Sequence, residues 1–109
     1  MKFKTKLKLW LETENGYAFG EGSFKLLNKI QEHGTLRGAS KELGMSYSHA
    51  WGIIKQIELT IGKPLLKTQK GGPHGGGGSE LTAEAKLLME KYLELKENLK
   101  GIDETFDFF

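Results

Sequence analysis

The chain of 109 residues has no cysteine and only two prolines. No apolar run approaches the ~20 residues that a membrane-spanning helix needs. Without cysteine, disulfides and thiolate metal sites are both excluded, so the fold must rest on its core. The opening Met1-Lys-Phe-Lys-Thr-Lys6 lacks the apolar segment of a secretory leader, and a cytoplasmic protein with no membrane contact is expected. Catalytic equipment is scarce as well. No Ser/His/Asp group stands out, and His33, His49 and His74 lie too far apart for metal-ligand spacing. Gly78-Ser79-Glu80 does not end as a phosphate-binding Walker loop must, and Gly62-Lys63 is followed by Pro64. Neither an enzyme nor a cofactor is expected.

What is present is a single-domain length with a modest core, and an uneven charge. Residues 1–79 carry twelve Lys and Arg against six Asp and Glu, whereas residues 80–109 carry four against eight. The front part suits a polyanion and the tail repels one. Lys2, Lys4, Lys6 and Lys8 alternate with Phe3, Thr5, Leu7 and Leu9, the period of a strand with one cationic face. That face serves either as a solvated sheet edge or as a DNA contact. Asn15-Gly16 signals a hairpin, with Tyr17–Phe19 as the return strand. Ser23 is placed to cap a helix from Phe24 to His33, which Gly34 ends.

Between Gly34 and Trp51 the spacing predicts two short helices joined by a tight turn. Thr35 is an N-cap, and Leu36, Ala39, Ser40 and Leu43 share one face. Gly44 can adopt the left-handed conformation that stops a helix. Ser46 caps a second helix with Ala50, Ile54, Ile57 and Ile61 on its inner side, running to Gly62. Alanines at 39 and 50 let the two helices cross closely. This is the layout of a helix-turn-helix, whose second helix enters a DNA major groove.

Leu65–Gln69 and Glu80–Leu81 then flank the tract Lys70-Gly-Gly-Pro-His-Gly-Gly-Gly-Gly-Ser79, which predicts a hairpin wing with a glycine-rich tip. The other reading of such a tract is a flexible linker. Thr82 caps a long helix with Ala85, Leu88, Tyr92, Leu95 and Leu99 on one stripe. Leu87, Met89 and Leu93 widen that stripe enough to predict packing on a second chain, hence a homodimer. The tail 101–109 shows no period and either frays or docks its phenylalanines on the partner. The expected class is mainly α with small β: a winged helix-turn-helix over 1–100, with an N-terminal β-hairpin and a long C-terminal dimerisation helix.

On a helical wheel with Ala50 at zero, Ile54, Ile57 and Ile61 lie within about 40°, while Ser48, Gly52, Lys55 and Leu59 point the opposite way. Ser46, Tyr47, Ser48 and Gly52 are therefore placed near base edges and Lys55 near phosphate. Trp51 flanks that face and suits either DNA or a packed boundary place. In the wing, Lys67, Lys70 and His74 supply donors to the sugar-phosphate chain.

Leu43-Gly-Met-Ser46, Ile57-Glu58, Leu65-Leu66-Lys67 and Leu81-Thr82 are similar to the DNA-binding domains of LysR-type regulators. Met45-Ser-Tyr47, Ala50-Trp51 and the poly-glycine wing more closely resemble the ModE family of molybdate-responsive regulators. The resemblance implies a sequence-specific transcription regulator acting as a homodimer on double-stranded DNA, linked to molybdate or tungstate metabolism. ModE proteins carry molybdate-binding domains after the winged helix, and this chain ends where those would begin. A standalone form is expected, one that holds DNA without sensing the oxyanion itself. Two alternatives remain: a module that relies on a separate sensor protein, or weak oxyanion binding by the wing amides.

Overall fold

The computed structural model describes residues 1–69, 78–102 and 104–109. The lysine-rich start is not the single strand its alternation predicts. It divides into β1 (Lys2–Lys4) and β2 (Trp10–Thr13), because the two halves have different partners. β2 pairs antiparallel with β3 (Gly16–Gly20) through the expected Asn15-Gly16 turn, where Gly16 takes φ +110°. Helix α1 spans Glu21–His33 and starts two residues before Ser23. Extended Gly20 precedes it, and Ser23 is buried in the first turn instead of capping. Gly34 closes the helix at φ +73°, its N–H donating to Ile30 O at 2.7 Å.

The helix-turn-helix forms as its caps predict. Thr35 Oγ1 accepts from Gly38 N at 3.0 Å and opens α2 (Leu36–Glu42). A Cβ at Gly38 would stand 2.9 Å from that Oγ1 and 3.1 Å from His33 Cβ, so the cap leaves no room for a side chain. Gly44 turns the chain at φ +70°. Ser46 Oγ accepts from His49 N at 3.1 Å and opens α3 (Tyr47–Ile61). Leu26, Leu27 and Ile30 of α1, Ala39 of α2, and Ala50, Ile54 and Ile57 of α3 form one buried cluster with Phe19 and Leu65. At the rim, Lys29 Nζ lies 3.0 Å from Glu32 and 3.1 Å from Glu42, and His33 Nε2 hydrogen-bonds Glu42 Oε2. The His33 bond and then Lys29 hold the Glu42 carboxyl below the usual range, which ties α1 to α2.

β4 (Leu66–Gln69) and β5 (Gly78–Leu81) pair with Leu66 opposite Leu81 and Lys67 opposite Glu80. The predicted wing strands are present; its tip, with Lys70 and His74, lies outside the described residues. Thr82 joins wing and last helix. Its N–H donates to Leu65 O at 3.0 Å, its hydroxyl donates to Pro64 O at 2.8 Å, and the same oxygen accepts from Ala85 N at 3.2 Å. Helix α4 (Ala83–Asn98) buries Ala85, Met89 and Tyr92. Met89 therefore belongs to the core, while Leu87 and Leu93 stay 66% and 50% exposed.

The tail returns to its own chain. After a 3₁₀ turn at Lys100–Ile102, β6 (Thr105–Asp107) pairs antiparallel with β1, Phe3 opposite Phe106. Those rings stack at 5.6 Å, and Phe106 meets Phe108 edge-on at 4.9 Å. The N-terminal ammonium donates to Phe108 O at 2.7 Å. Lys2 opposite Asp107 adds a cross-strand pair of unlike charge. The molecule extends 65 × 31 × 21 Å, with this aromatic ribbon outside the main core.

Ala39 and Ala50 are fully buried on the packed faces of α2 and α3. Ala39→Leu or Ala50→Leu is expected to cost about 1–3 kcal/mol by overpacking. Leu87→Ala on the open face of α4 should change stability by less than about 0.5 kcal/mol. Urea unfolding followed by circular dichroism compares the three.

Candidate nucleic-acid interface

Helix α3, 15 residues and so about 22 Å long, is held from behind by its apolar face. Ala50, Ile54 and Ile57 are buried, and Thr60 is buried on the flank. Asn15 Nδ2 donates to Thr60 O at 3.3 Å, so the first hairpin braces the end of the helix. Held this way, the helix can present only its opposite face.

That face carries the residues assigned to it. Ser46, Tyr47, Ser48, Trp51, Gly52 and Lys55 are all exposed. Trp51 remains 48% exposed, so the packed-boundary place that its size suggests is not where it sits. A Cβ at Gly52 would meet nothing within 4 Å, so among the described residues none requires a glycine there. The bare backbone faces open space beside a groove of about 430 Å³ lined by Tyr17, Ser48, Ile53 and Gln56. Ser46 spends its side-chain oxygen on the cap, which leaves its role at an interface to the backbone.

Two cation–aromatic pairs organise the surface. The Arg37 guanidinium lies 4.7 Å from the centre of the Tyr47 ring, and Lys55 Nζ lies 5.2 Å from the Trp51 ring. Arg37 is the residue that sequence spacing missed. It sits beside the packed positions of α2 and reaches Tyr47 across the turn, so no local periodicity links the two. Lys55 also donates to Glu58 Oε1 at 3.0 Å. Its charge is thus held over Trp51 by Glu58 as well as being offered outward.

Glu58 also seats the wing. Its Oε2 accepts from Leu65 N at 2.7 Å, immediately before β4. Burial pushes this carboxyl up, but the Leu65 N–H and the Lys55 ammonium outweigh that and hold it below the usual range. Lys67 is exposed on β4, opposite Glu80 in the register. Lys55 on the helix and Lys67 on the wing are the described cations predicted for phosphate, and both stand beside an acid. Lys70 and His74, predicted for the same task, lie outside the described residues. Among the described residues no helix is long and apolar enough to cross a membrane.

Comparison with known proteins matches residues 22–86 to the bacterial regulatory helix-turn-helix proteins of the lysR family. The transcriptional regulator ModE of Haemophilus influenzae is 30% identical over 88 residues, covering 81% of this chain and 34% of that protein. The molybdenum-pterin-binding protein MopA of Rhodobacter capsulatus is 33% identical over 69 residues, covering 63% of this chain and 26% of its own length. The chain therefore spans about a quarter to a third of these curated relatives. The crystal structure of a CbnR_DBD–DNA complex matches with TM-score 0.52 and 25% identity, over 69% of this chain and 79% of that one.

The Glu58 links set a pH dependence. A carboxyl held below its unfolded value contributes stability that is present above that value and lost as pH falls through the folded one. Wild-type protein should therefore lose more stability than Glu58→Gln between pH 6 and pH 3. At pH 7 the variant should be less stable by about 1–2 kcal/mol, since the Leu65 N–H loses a charged acceptor. Urea titrations at several pH values check both.

Proposed function

We propose, from the premise that the chain belongs to the lysR family of bacterial regulatory helix-turn-helix proteins, that it is a sequence-specific transcription regulator acting on double-stranded DNA as a homodimer. The observation that carries this reading is the outer face of α3, fully presented, lined by Tyr47, Trp51 and Lys55, and bare at Gly52. Side chains at Tyr47 and Ser48 reach base edges, and Gly52 lets the backbone approach closely. Lys55 and Lys67 meet phosphates, and Arg37 holds Tyr47 in place while adding its own charge. The family is one of regulators and not of enzymes.

Residues 1–100 serve as the DNA-binding domain, with 101–109 as a tail that folds back on β1. Exposed Leu87 and Leu93 on α4 support a second copy packing there, which would place two recognition helices about one DNA turn apart. The names of the ModE and MopA relatives support a role in molybdenum metabolism. The absence of a membrane-crossing helix among the described residues accords with action in the cytoplasm.

Fluorescence anisotropy on duplexes recovered by in vitro selection tests the reading. Lys55→Ala and Lys67→Ala should each lower the slope of log affinity against log salt by about 1 and weaken all sequences alike. Tyr47→Ala should cost about 1–3 kcal/mol on the selected sequence and much less on random DNA. Unchanged slopes and unchanged selectivity would sink the assignment. Sedimentation should give a dimer for wild type and a monomer for Leu87→Glu/Leu93→Glu; a monomeric wild type removes the dimer from the reading.

A further inference from the structure

At the far end of the molecule, a cavity of about 290 Å³ opens between residues 4–9 and the C-terminal half of α4. Lys4, Lys6, Lys96 and Lys100 line it, against a single acid, Glu21. Glu21 already stands 3.6 Å from Lys25, and Lys100 is paired with Glu97 at 2.9 Å. Among the described residues, Lys4, Lys6 and Lys96 have no ion-pair partner. Three ammonium groups lining one concavity attract an anion seated among them. The rest of the lining is apolar: Leu7, Leu9 and Leu99 with the ring of buried Tyr92, whose hydroxyl is turned to Leu9 O at 3.4 Å. A water occupies about 30 Å³ of liquid. The volume stands at the lower limit of small-molecule sites.

We infer that this cavity binds a small organic anion, its charge held by Lys4, Lys6 and Lys96 and its apolar body resting on Leu7, Leu99 and Tyr92. A bare tetrahedral ion would satisfy the lysines but leave the apolar floor wet. A neutral apolar molecule would leave the lysines unpaired. The cavity's main walls are residues 4–9, from the end of β1 onward, and the last turns of α4 with the residues just after it, and Thr5 N donates to Glu104 O at 3.0 Å beside it. An occupant would therefore join the N-terminal arm and the tail ribbon to α4. The site is separate from the α3 surface and does not depend on the proposed DNA binding.

Isothermal titration of the full chain with phenyl phosphate, inorganic phosphate and phenol tests the inference. Phenyl phosphate should bind saturably at one per chain, at least tenfold tighter than either of the others. Lys6→Gln and Lys96→Gln should each weaken it at least fivefold, while Lys41→Gln, an exposed lysine elsewhere, should leave it unchanged. In DNA titrations without phenyl phosphate, both site variants should match wild type, so failure here is distinct from failure of the DNA reading. Three results would overturn the site: no saturable binding, equal binding of inorganic phosphate, or equal weakening by Lys41→Gln. Failure to bind phenyl phosphate together with a reduced DNA salt slope in Lys6→Gln and Lys96→Gln would reassign the lysines to the nucleic-acid backbone.

Discussion

The close crossing of α2 and α3 is the constraint on which the rest of the structure depends. Ala39 and Ala50 are fully buried in the core cluster that those helices share, where a larger side chain is expected to overpack. Once Ala50, Ile54 and Ile57 are committed to the core, the outward face of α3 follows with no further freedom. The surface offered to a partner is thus a consequence of packing on the opposite side of the same helix. Burial of the inner stripe also compensates for Gly52, which is costly in a helix interior by roughly 1 kcal/mol relative to alanine.

A second set of contacts sets the wing relative to that helix. Glu58 joins α3 to the backbone just before β4, and Thr82 joins the end of the wing to α4 with one side chain. Ser79 N donates to Gly34 O at 2.8 Å, so the wing base also rests on the end of α1. Lys55 and Lys67 are consequently carried by elements joined directly through the Glu58–Leu65 hydrogen bond. The same Glu58 that orients Lys55 over Trp51 also partly neutralises it. A phosphate contact by Lys55 must compete with that internal partner.

The ribbon of β1 and β6 follows a different logic. Its residues lie outside the main core cluster, and a two-stranded pair is marginal in water on its own. Stacked Phe3 and Phe106, with Phe108 against their edge, supply the apolar contact that a sheet would normally draw from a neighbouring layer. Termini that composition describes as an uneven scatter of charge are thereby brought together, basic Lys2 opposite acidic Asp107. The N-terminal ammonium, not the Lys2 side chain, makes the ion pair there, 3.7 Å from Asp107 Oδ1.

Features written in short spans were legible in the sequence: the caps Thr35, Ser46 and Thr82, the hairpin turn at Gly16, the helix ends at Gly34 and Gly62, the left-handed Gly44, and the inner stripe of α3. Each rests on a hydrogen bond or a dihedral preference acting over three or four residues, and each formed as expected. Whatever depended on partners distant in the chain was decided by the tertiary structure. The lysine alternation split between two sheets because β1 found β6 about a hundred residues away. Met89 turned into the core, Trp51 stayed outside it, and Arg37 reached Tyr47 across a turn that no periodicity records. Local sequence determined which helices and turns exist, because their energetics are local. Which side chains face solvent, pair or stack was settled only when the elements packed, because those choices depend on neighbours that the linear pattern does not specify.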